Sequence, residues 1–480
     1  MRLRGRDGRG IALLLLAAGL AVAQGCVVGP DYVSPEPPMP DVWHQELARG
    51  LQEGEANLAA WWTALGDPRL DELIERAKAG NLDLRLSVAR ILEARAQRGI
   101  AVSDRFPEAD GVGTVQRDRQ SEDVIVDVPP GRSRTDTFYG VGADTFWELD
   151  LWGRITRSIE SADSSLEGSV EDYRDVLVSL YSEVATTYTE IRALQARIRY
   201  ALGNVKTQRG SLQLTVDRRD AGIGSDLDVS QAELNLASTE SFVPFLRSEL
   251  AASVHALGVL VGGHPSALWA ELSDAVPIPK PPPQIVVGLP TEILRQRPDI
   301  RRAERELAAQ TALIGVATAE LYPTFSLVGT FTFEAFDSSD LLERSSRTYG
   351  FGPSFRWNLF DGGRVRQAIQ VEDARTDQAL ARYEQTVLSA LEDVEDAMVA
   401  YVQESERRDA LDRSAVAAKK AVDLVNVLYK TGLTDFQNVL DTERSLFEQQ
   451  DQLAESEGLV TQNLIEIYRA LGGGWSLTTN

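Results

Sequence analysis

The fold is decided by two similar stretches, "GIGSDLDVSQAELNLA" (Gly222–Ala237) and "GLTDFQNVLDTERSLF" (Gly432–Phe447). They lie 210 positions apart, and at that offset Gly222 matches Gly432. In both stretches a glycine interrupts a helical pattern, and glycine readily takes the left-handed conformation that ends a helix. The pair therefore predicts two helical hairpins, one in each half of a duplicated chain.

The duplication extends well beyond the hairpins. Two further pairs of stretches match between the halves: "WELDLWGR" (Trp147–Arg154) with "WNLFDGGR" (Trp357–Arg364), and the segment 81–107 with the segment 297–323, which begins "RPDIRRAERE" and ends "AELYP". Repeats of this size should be sought before individual elements, because they set the architecture. We interpret residues 67–263 and 288–474 as the two repeats, with 264–287 as a proline-rich connector.

Each repeat contains very long helices. A first helical stretch starts at Asp67-Pro68, a favourable N-cap and first-turn pair, and continues to about Val102. Proline-free helical segments follow at 154–219 and 364–430, each about 100 Å long at 1.5 Å per residue. Second helices run to about Leu257 and Leu471. Helices of this length exceed what a globular core needs, which indicates a coiled coil or a helical barrel.

Between these helical parts, each repeat has residues that alternate as in β-strands. Alternation is clear at 324–333 and 349–359, acceptable at 139–149, and weak at about 109–119, where charges interrupt it. Runs of about 10 residues with one aromatic face are typical of transmembrane strands, although each strand alone fits a soluble sheet. We predict that five aromatic side chains face lipid: Phe331, Phe333, Tyr349, Phe351 and Trp357.

The N-terminus has the features of a secretory signal. Four arginines precede the apolar run 11–23, which is too short to span a bilayer, so residues 1–25 are predicted to be a signal peptide. "AVAQGC" resembles a bacterial lipobox, in which Cys26 becomes the lipidated first residue; ordinary cleavage nearby is the alternative. Residues 26–66 would then form a lipid-anchored, extended and collar segment.

Composition excludes several functions. The net charge of −23 argues against nucleic acid as a partner. One cysteine and three histidines are too few for a zinc or Cys/His catalytic site, and no phosphate loop or nucleophile elbow occurs. We therefore expect no enzyme activity, cofactor or metal site. No segment after the signal reaches the roughly 18 apolar residues of a membrane helix, so any membrane crossing would use strands.

Four strands in one chain cannot close a barrel, and lipid does not tolerate open sheet edges. The chain should therefore oligomerise around a symmetry axis. Three copies would give 12 strands, enough for an aqueous lumen, but two or four copies would also close.

Several stretches together resemble the outer membrane factor family of the TolC/OprM type, including NodT-like efflux lipoproteins. They are "CVVGPDYVSPEPPMPDVW", "RPDIRRAERELAAQTALIGVATAELYPTFSL", "FRWNLFDGGR" and "YKTGLTDFQNVLDTERSLFEQQ". The resemblance implies an α+β membrane protein: a trimer with a 12-stranded outer-membrane β-barrel continued by a long periplasmic α-helical barrel.

The resemblance further implies the exit duct of a tripartite pump that expels drugs or metal ions. The partners would be an inner-membrane RND-type transporter, a periplasmic adaptor and outer-membrane lipid. A protein duct for type I secretion shares this architecture and is the main alternative. A periplasmic coiled-coil scaffold without a pore is a third hypothesis.

Four residues of the second hairpin match gate positions of the family. Asp441 matches the inner gate aspartate and Arg444 an arginine that ties neighbouring helices. Asn438 stands where some members have a second aspartate, and Gln437 replaces a leucine that seals the pore, which favours a polar constriction. The alternative is an ordinary solvated helix face. The first repeat has Gln231 and Leu234 at the positions of Asp441 and Arg444, so the gate is assigned chiefly to the second repeat.

The turns of both hairpins are the expected adaptor contacts, since glycine allows tight turns and close approach of a partner. The residues are Gly222, Gly224, Gly432, Leu433 and Thr434. A plain interhelical turn is the alternative.

Overall fold

The structure, a computed structural model, describes residues 27–54, 58–121, 123 and 133–476. The predicted signal peptide and Cys26 lie outside these residues, so lipidation stays a prediction. The chain divides into two compact units. Among the described residues, the sheet unit comprises 27–36, 90–121, 123, 133–169 and 303–383, and the helix unit comprises 37–54, 58–89, 170–302 and 384–476. Each unit contains segments from both sequence repeats.

Helices account for most of the described chain. They are α1 (Pro68–Gly80), α2 (Leu82–Ser103), α3 (Arg154–Asp220), α4 (Asp226–Leu260), α5 (Pro290–Gln296), α6 (Pro298–Ala319), α7 (Arg364–Lys430) and α8 (Phe436–Ala470). The strands are β1 (Leu51–Glu53), β2 (Glu108–Arg119), β3 (Thr135–Leu149), β4 (Ile285–Val287), β5 (Thr324–Ala335) and β6 (Arg347–Arg356). Short 3-10 helices occupy Trp61–Leu65 and Arg344–Ser346. Within the described residues, no helix combines the length and apolar character that a membrane crossing requires.

The helices repeat with the sequence. Helices α3 and α7 have 67 residues each, and α4 and α8 have 35 each. Helices α7 and α8 start and end 210 positions after α3 and α4, respectively. Helices α2 and α6 also agree, with 22 residues each, and strands β2 and β5 with 12. Both hairpins expected from the glycine-broken stretches are therefore present.

The first helical stretch is two helices. Asp67 caps α1 as expected, because its side chain accepts hydrogen bonds from the backbone N–H groups of Arg69 and Leu70. The chain then breaks at Asn81, whose Oδ1 accepts the N–H of Asp83 at 2.8 Å and whose Nδ2 donates to the Leu260 carbonyl at 3.0 Å. Helix α2 starts afresh beyond this residue.

The sheet unit contains one antiparallel sheet with the strand order β2-β3-β5-β6. Its register places Tyr349 opposite Phe331 and Phe351 opposite Gly329. Because alternate residues point to opposite faces, the aromatic residues of β5 and β6 share one face with Tyr139, Val141 and Trp147 of β3. The weakly patterned segment 109–119 pairs with β3 over its whole length as β2.

The two faces of the sheet differ in polarity. Tyr349 is 71% exposed and Phe351 87% exposed on the aromatic face, while Phe331 is 46% exposed and Phe333 is half-buried. The opposite face consists mainly of Thr, Ser, Gly and acidic residues, among them Asp110, Asp144 and Glu334. Trp357, expected within the last strand, follows its end at Arg356 and donates its ring N–H to the Leu321 carbonyl at 3.1 Å. That strand thus begins and ends earlier in the chain than predicted.

The segment 27–36 is fastened within the sheet unit. The Val28 N–H donates to the Trp152 carbonyl at 3.1 Å, and the buried Arg157 donates to Asp31 at 2.7 Å. A Cβ on Gly29 would lie 2.4 Å from the Cα of Gly315, so only glycine allows this approach. These contacts account for the "VGPD" sequence that follows Cys26.

In the helix unit, aromatic packing and one buried arginine hold distant segments together. Trp61 stacks on Tyr468 with ring centroids 5.2 Å apart and is 2% exposed. Arg297 donates to Asp299 at 2.7 Å, to Asp393 at 3.0 Å and to the Ala470 carbonyl, the end of α8, at 2.8 Å. The "RPD" of the second repeat is thus a structural ion-pair centre.

Candidate gate and docking tips

The turns of the two helical hairpins have the same backbone geometry. Gly222 has a φ of 76° and Gly432 a φ of 75°, both left-handed. The N–H after each glycine bonds back to the carbonyl five residues earlier: Ile223 to Arg218 at 3.0 Å, and Leu433 to Leu428 at 2.9 Å. This is the glycine-dependent helix ending that the sequence predicted.

The helices after the turns start with side-chain caps. Ser225 accepts the N–H of Asp228 at 3.1 Å, and Asp228 accepts the N–H of Ser225 in return, which makes a capping box. Asp435 accepts the N–H of Asn438 at 3.1 Å. Each turn is thus closed on both sides, by glycine on one helix and by a polar cap on the next.

Large apolar side chains are exposed at both turns. Leu433 is 74% exposed and Ile223 is 66% exposed, and Leu227 in the first turn of α4 is 64% exposed. Thr434 is half-buried, and the Gly224 backbone approaches Arg219 so closely that an added Cβ would lie 2.8 Å from its nitrogen. Exposed apolar residues on short, rigid turns are suited to contact with another protein.

An apolar cluster supports the tips from inside. It contains Ala232, Val425, Tyr429, Phe436, Val439 and Leu440, with Leu212 and Leu214 packed against it. The rings of Tyr429 and Phe436 lie 5.4 Å apart, and the guanidinium of Arg218 lies 4.7 Å from the centre of the Tyr429 ring. Since the cluster draws on α3, α4, α7 and α8, it joins the hairpins of both repeats into one bundle.

The residues predicted for the gate lie on the first three turns of α8. Asp441 is exposed and accepts a hydrogen bond from Gln437 Nε2 at 2.9 Å. Asn438 is also exposed, and its Nδ2 donates to Thr434 at 2.9 Å and to Asp435 at 3.0 Å. A carboxylate and two amides therefore form a polar surface close to the turn.

Arg444 is directed across the bundle. Its Nε donates to Asn235 Oδ1 on α4 at 3.2 Å, and among the described residues the structure records no ion pair between Arg444 and Asp441. The arginine thus links the hairpin of the second repeat to that of the first, within one chain. The role in the gate that the family resemblance implies for Arg444 stays a prediction.

Sequence reasoning missed the neighbour of Arg444, a buried carboxylate. Glu443 is 2% exposed and accepts hydrogen bonds from Ser211 Oγ at 2.5 Å and Asn235 Nδ2 at 3.3 Å. Burial raises the pKa of Glu443 more than these two hydrogen bonds lower it. The matching Glu233 of the first repeat is exposed. Because both repeats have a glutamate at this position, the sequence does not show that one is buried and the other exposed. The difference in burial arises from packing.

The hairpin region offers no evident metal chemistry. Across the described ranges, no group of three or more His, Cys, Asp or Glu side chains is arranged to hold a metal ion.

Comparison with known proteins gives one family. The model of the outer membrane efflux protein family matches residues 73–263 and 289–473. The chain is 31% identical over 469 residues to the solvent efflux pump outer membrane protein SrpC of Pseudomonas putida, covering 96% of this chain and 98% of that protein. It is 31% identical over 476 residues to the outer membrane protein OprJ of Pseudomonas aeruginosa, with coverages of 97% and 96%.

Solved structures agree with these matches. The outer-membrane channel OprN superimposes with a TM-score of 0.85 at 37% identity, covering 94% of this chain and 100% of that chain. A structure of CusC, described as forming a transmembrane channel, gives a TM-score of 0.83 at 27% identity, with coverages of 94% and 100%.

Proposed function

The chain belongs to the outer membrane efflux protein family, and we propose that three copies form a continuous exit duct through the outer membrane and periplasm. It is an outer-membrane efflux channel of the kind used by tripartite pumps. The observation that carries the proposal is the combination, in one chain of this family, of a two-faced sheet and paired helical tips.

The sheet supports the trimeric barrel. Strands β2 and β6 lie at the two edges of the described sheet, and each is paired on one side only. Backbone groups at an open edge cannot be satisfied in hydrocarbon, so the edges require strands from neighbouring copies. Three four-stranded sheets close a 12-stranded barrel with the exposed aromatic face toward lipid and the polar face toward the lumen. Phe331, Phe333, Tyr349, Phe351 and Trp357 would then contact lipid.

The hairpin tips support a periplasmic gate. A ring of Asp441 carboxylates from three copies, flanked by Gln437 and Asn438, would attract cations and narrow the duct with polar groups. Arg444 would hold α8 in place through Asn235. The gate would open when the bundle of hairpins spreads.

A conductance experiment tests the gate. Asp441→Ala in the purified protein should raise single-channel conductance in a planar bilayer and weaken block by divalent cations. Glu448→Ala is a matched control, because Glu448 is also exposed on α8 and accepts a hydrogen bond from a glutamine four residues away. Equal conductance and equal cation block in both variants and the wild type would remove Asp441 from the gate.

The tips also support docking of a periplasmic adaptor that recruits an inner-membrane RND-type transporter. Gly222, Gly224, Gly432, Leu433 and Thr434 would form the contact. Leu433→Ser and Ile223→Ser should reduce adaptor capture without lowering thermal stability, because both side chains are exposed. Leu202→Ser, at an exposed site far from the turns on α3, should leave capture unchanged. Normal capture by both tip variants would place the contact elsewhere.

The proposed cargo is small molecules. Relatives are named for solvent efflux and for cation efflux, and this breadth fits a duct whose transporter selects the substrate. A type I protein-secretion duct is the alternative. Deletion of the chain should increase sensitivity to solvents, drugs or metal ions and leave the set of secreted proteins unchanged; the reverse pattern would favour secretion.

A further inference from the structure

A cavity of about 550 Å³ lies within the helix unit, built from residues other than those of the tips. The proline-rich segment 277–283 forms one wall, and Tyr200 of α3, Tyr401 of α7 and Val460 of α8 contribute to the others. A volume in this range is typical of sites for small organic molecules. Apolar contact is available because Ile278 and Tyr200 line the cavity.

The cavity lining has an excess of positive charge, whereas the chain as a whole has an excess of negative charge. The whole sequence has 49 basic and 72 acidic residues. The cavity, in contrast, is lined by four cationic side chains and by a single carboxylate: Arg49, Arg199, Lys280 and Arg408, with Glu457. A concave, partly apolar site with an excess of one charge concentrates ligands of the opposite charge.

Two of these cations form no direct ion pair. Arg49 and Arg408 share Asp409, at 2.7 Å and 3.3 Å respectively. For Arg199 and Lys280, by contrast, no ion pair is found among the described residues. Arg199 instead lies over the ring of Tyr200, 5.5 Å from its centre. Both lie near enough to Glu457 to act to lower the pKa of its carboxyl, but neither forms a direct ion pair with it, so their N–H donors remain available to a further anion.

Several contacts hold the cavity walls in place. Thr461 Oγ1 donates to the Pro279 carbonyl at 2.7 Å, which fixes the proline-rich segment on α8. Strands β1 and β4 pair directly beside it. Arg49 has a φ of 58°, the one positive value for a non-glycine residue among the described residues. This left-handed conformation is unfavourable for a residue other than glycine, and such strain is often found at binding sites.

We propose that this cavity binds a small organic anion with an aromatic or aliphatic body. Its carboxylate or phosphate monoester group would pair with Arg199 and Lys280, and its body would pack against Tyr200 and Ile278. The inference goes beyond transport through the duct. It stands on the cavity's own residues.

Calorimetry on the full chain in lipid nanodiscs tests the proposal, with empty nanodiscs as the blank for partitioning. The probe is 4-ethylbenzoate; 4-ethylbenzyl alcohol has the same body without the charge, and acetate has the charge without the body. We expect saturable binding of 4-ethylbenzoate, one per chain, weakened by added salt, and no measurable binding of the alcohol or of acetate. Titration with 4-ethylphenyl phosphate separates the two anion classes, since the tighter binder identifies the preferred group.

Two variants with opposite expected effects distinguish binding in the cavity from non-specific binding of the anion. Arg199→Gln with Lys280→Gln should weaken binding of 4-ethylbenzoate about tenfold or more, because two charge-assisted hydrogen bonds are lost. Glu457→Gln should tighten it, because the single lining carboxylate is neutralised. Arg209→Gln is the control, since Arg209 is an exposed arginine of α3 outside the cavity.

Equal binding of the alcohol and the benzoate would overturn the proposal. So would unchanged affinity in the Arg199→Gln, Lys280→Gln variant. If that variant fails to fold, Glu457→Gln decides alone: weaker or unchanged binding contradicts an anion site.

Discussion

The buried carboxylate of Glu443 should make the hairpin bundle less stable as the pH rises. Burial raises its pKa above that of the unfolded chain, which is about 4.3 for a glutamate. The folded protein therefore holds the proton more tightly than the unfolded chain does. The stabilisation from this proton is complete below about pH 4.3 and is lost as the pH rises through the raised pKa of the folded state.

The variant Glu443→Gln has no proton to lose, so it should lack this pH dependence. Each unit by which the folded-state pKa is raised corresponds to about 1.4 kcal/mol, a tenfold change in the opening equilibrium. The glutamine side-chain oxygen can still accept the hydrogen bond from Ser211. Any remaining change in hydrogen bonding would shift the opening free energy equally at every pH, so it would leave the pH dependence of that free energy unchanged. We expect the two proteins to diverge as the pH rises above about 4.3, with the wild type losing stability relative to the variant.

Hydrogen exchange of the peptides that cover α8 measures the opening free energy directly, once intrinsic rates are corrected for pH. The full chain in nanodiscs is compared with Glu443→Gln and with Glu233→Gln, the exposed glutamate at the matching position of the first repeat. The control should parallel the wild type at every pH. The reasoning is refuted if the Glu443→Gln curve is also parallel to the wild type.

Three further predictions concern the hairpin bundle and the ion pairs of Arg297. Gly432→Ala should lower the opening free energy of the tip by about 1–2 kcal/mol through left-handed strain alone, since nothing lies within 4 Å of the added Cβ. Gly432→Asn should recover most of this loss. Equal hydrogen-exchange protection in both variants would contradict the prediction. Phe436→Ala should lower the opening free energy by about 3–5 kcal/mol, measured as faster hydrogen exchange at the tip. Leu433→Ala should change it little, because Leu433 is 74% exposed. Similar losses in both variants would contradict the prediction. Arg297→Met should lower the free energy of unfolding by about 1.5–3 kcal/mol, because two partly exposed carboxylates lose their cation. An unchanged melting temperature would show that the ion pairs are dispensable.

The sequence by itself determined the order and length of the main elements. Glycine at 222 and 432, the proline-free helical segments and the alternating strands are local signals, because a backbone conformation or a periodicity depends on neighbouring residues. The duplication made each signal visible twice, so the hairpins and all four main strands could be predicted with boundaries within a few residues. The break at Asn81 and the strand end before Trp357 were missed, since both depend on contacts with distant segments: the carbonyls of Leu260 and Leu321.

Only the tertiary structure decided which polar groups are buried and which meet. Glu233 and Glu443 occupy matching positions, yet one is exposed and the other lies between Ser211 and Asn235, because the two hairpins pack asymmetrically. The cationic cavity likewise brings together side chains that are separated by hundreds of positions, from Arg49 to Glu457. Burial and pairing of charges depend on all packed neighbours at once, and a linear pattern does not encode those neighbours.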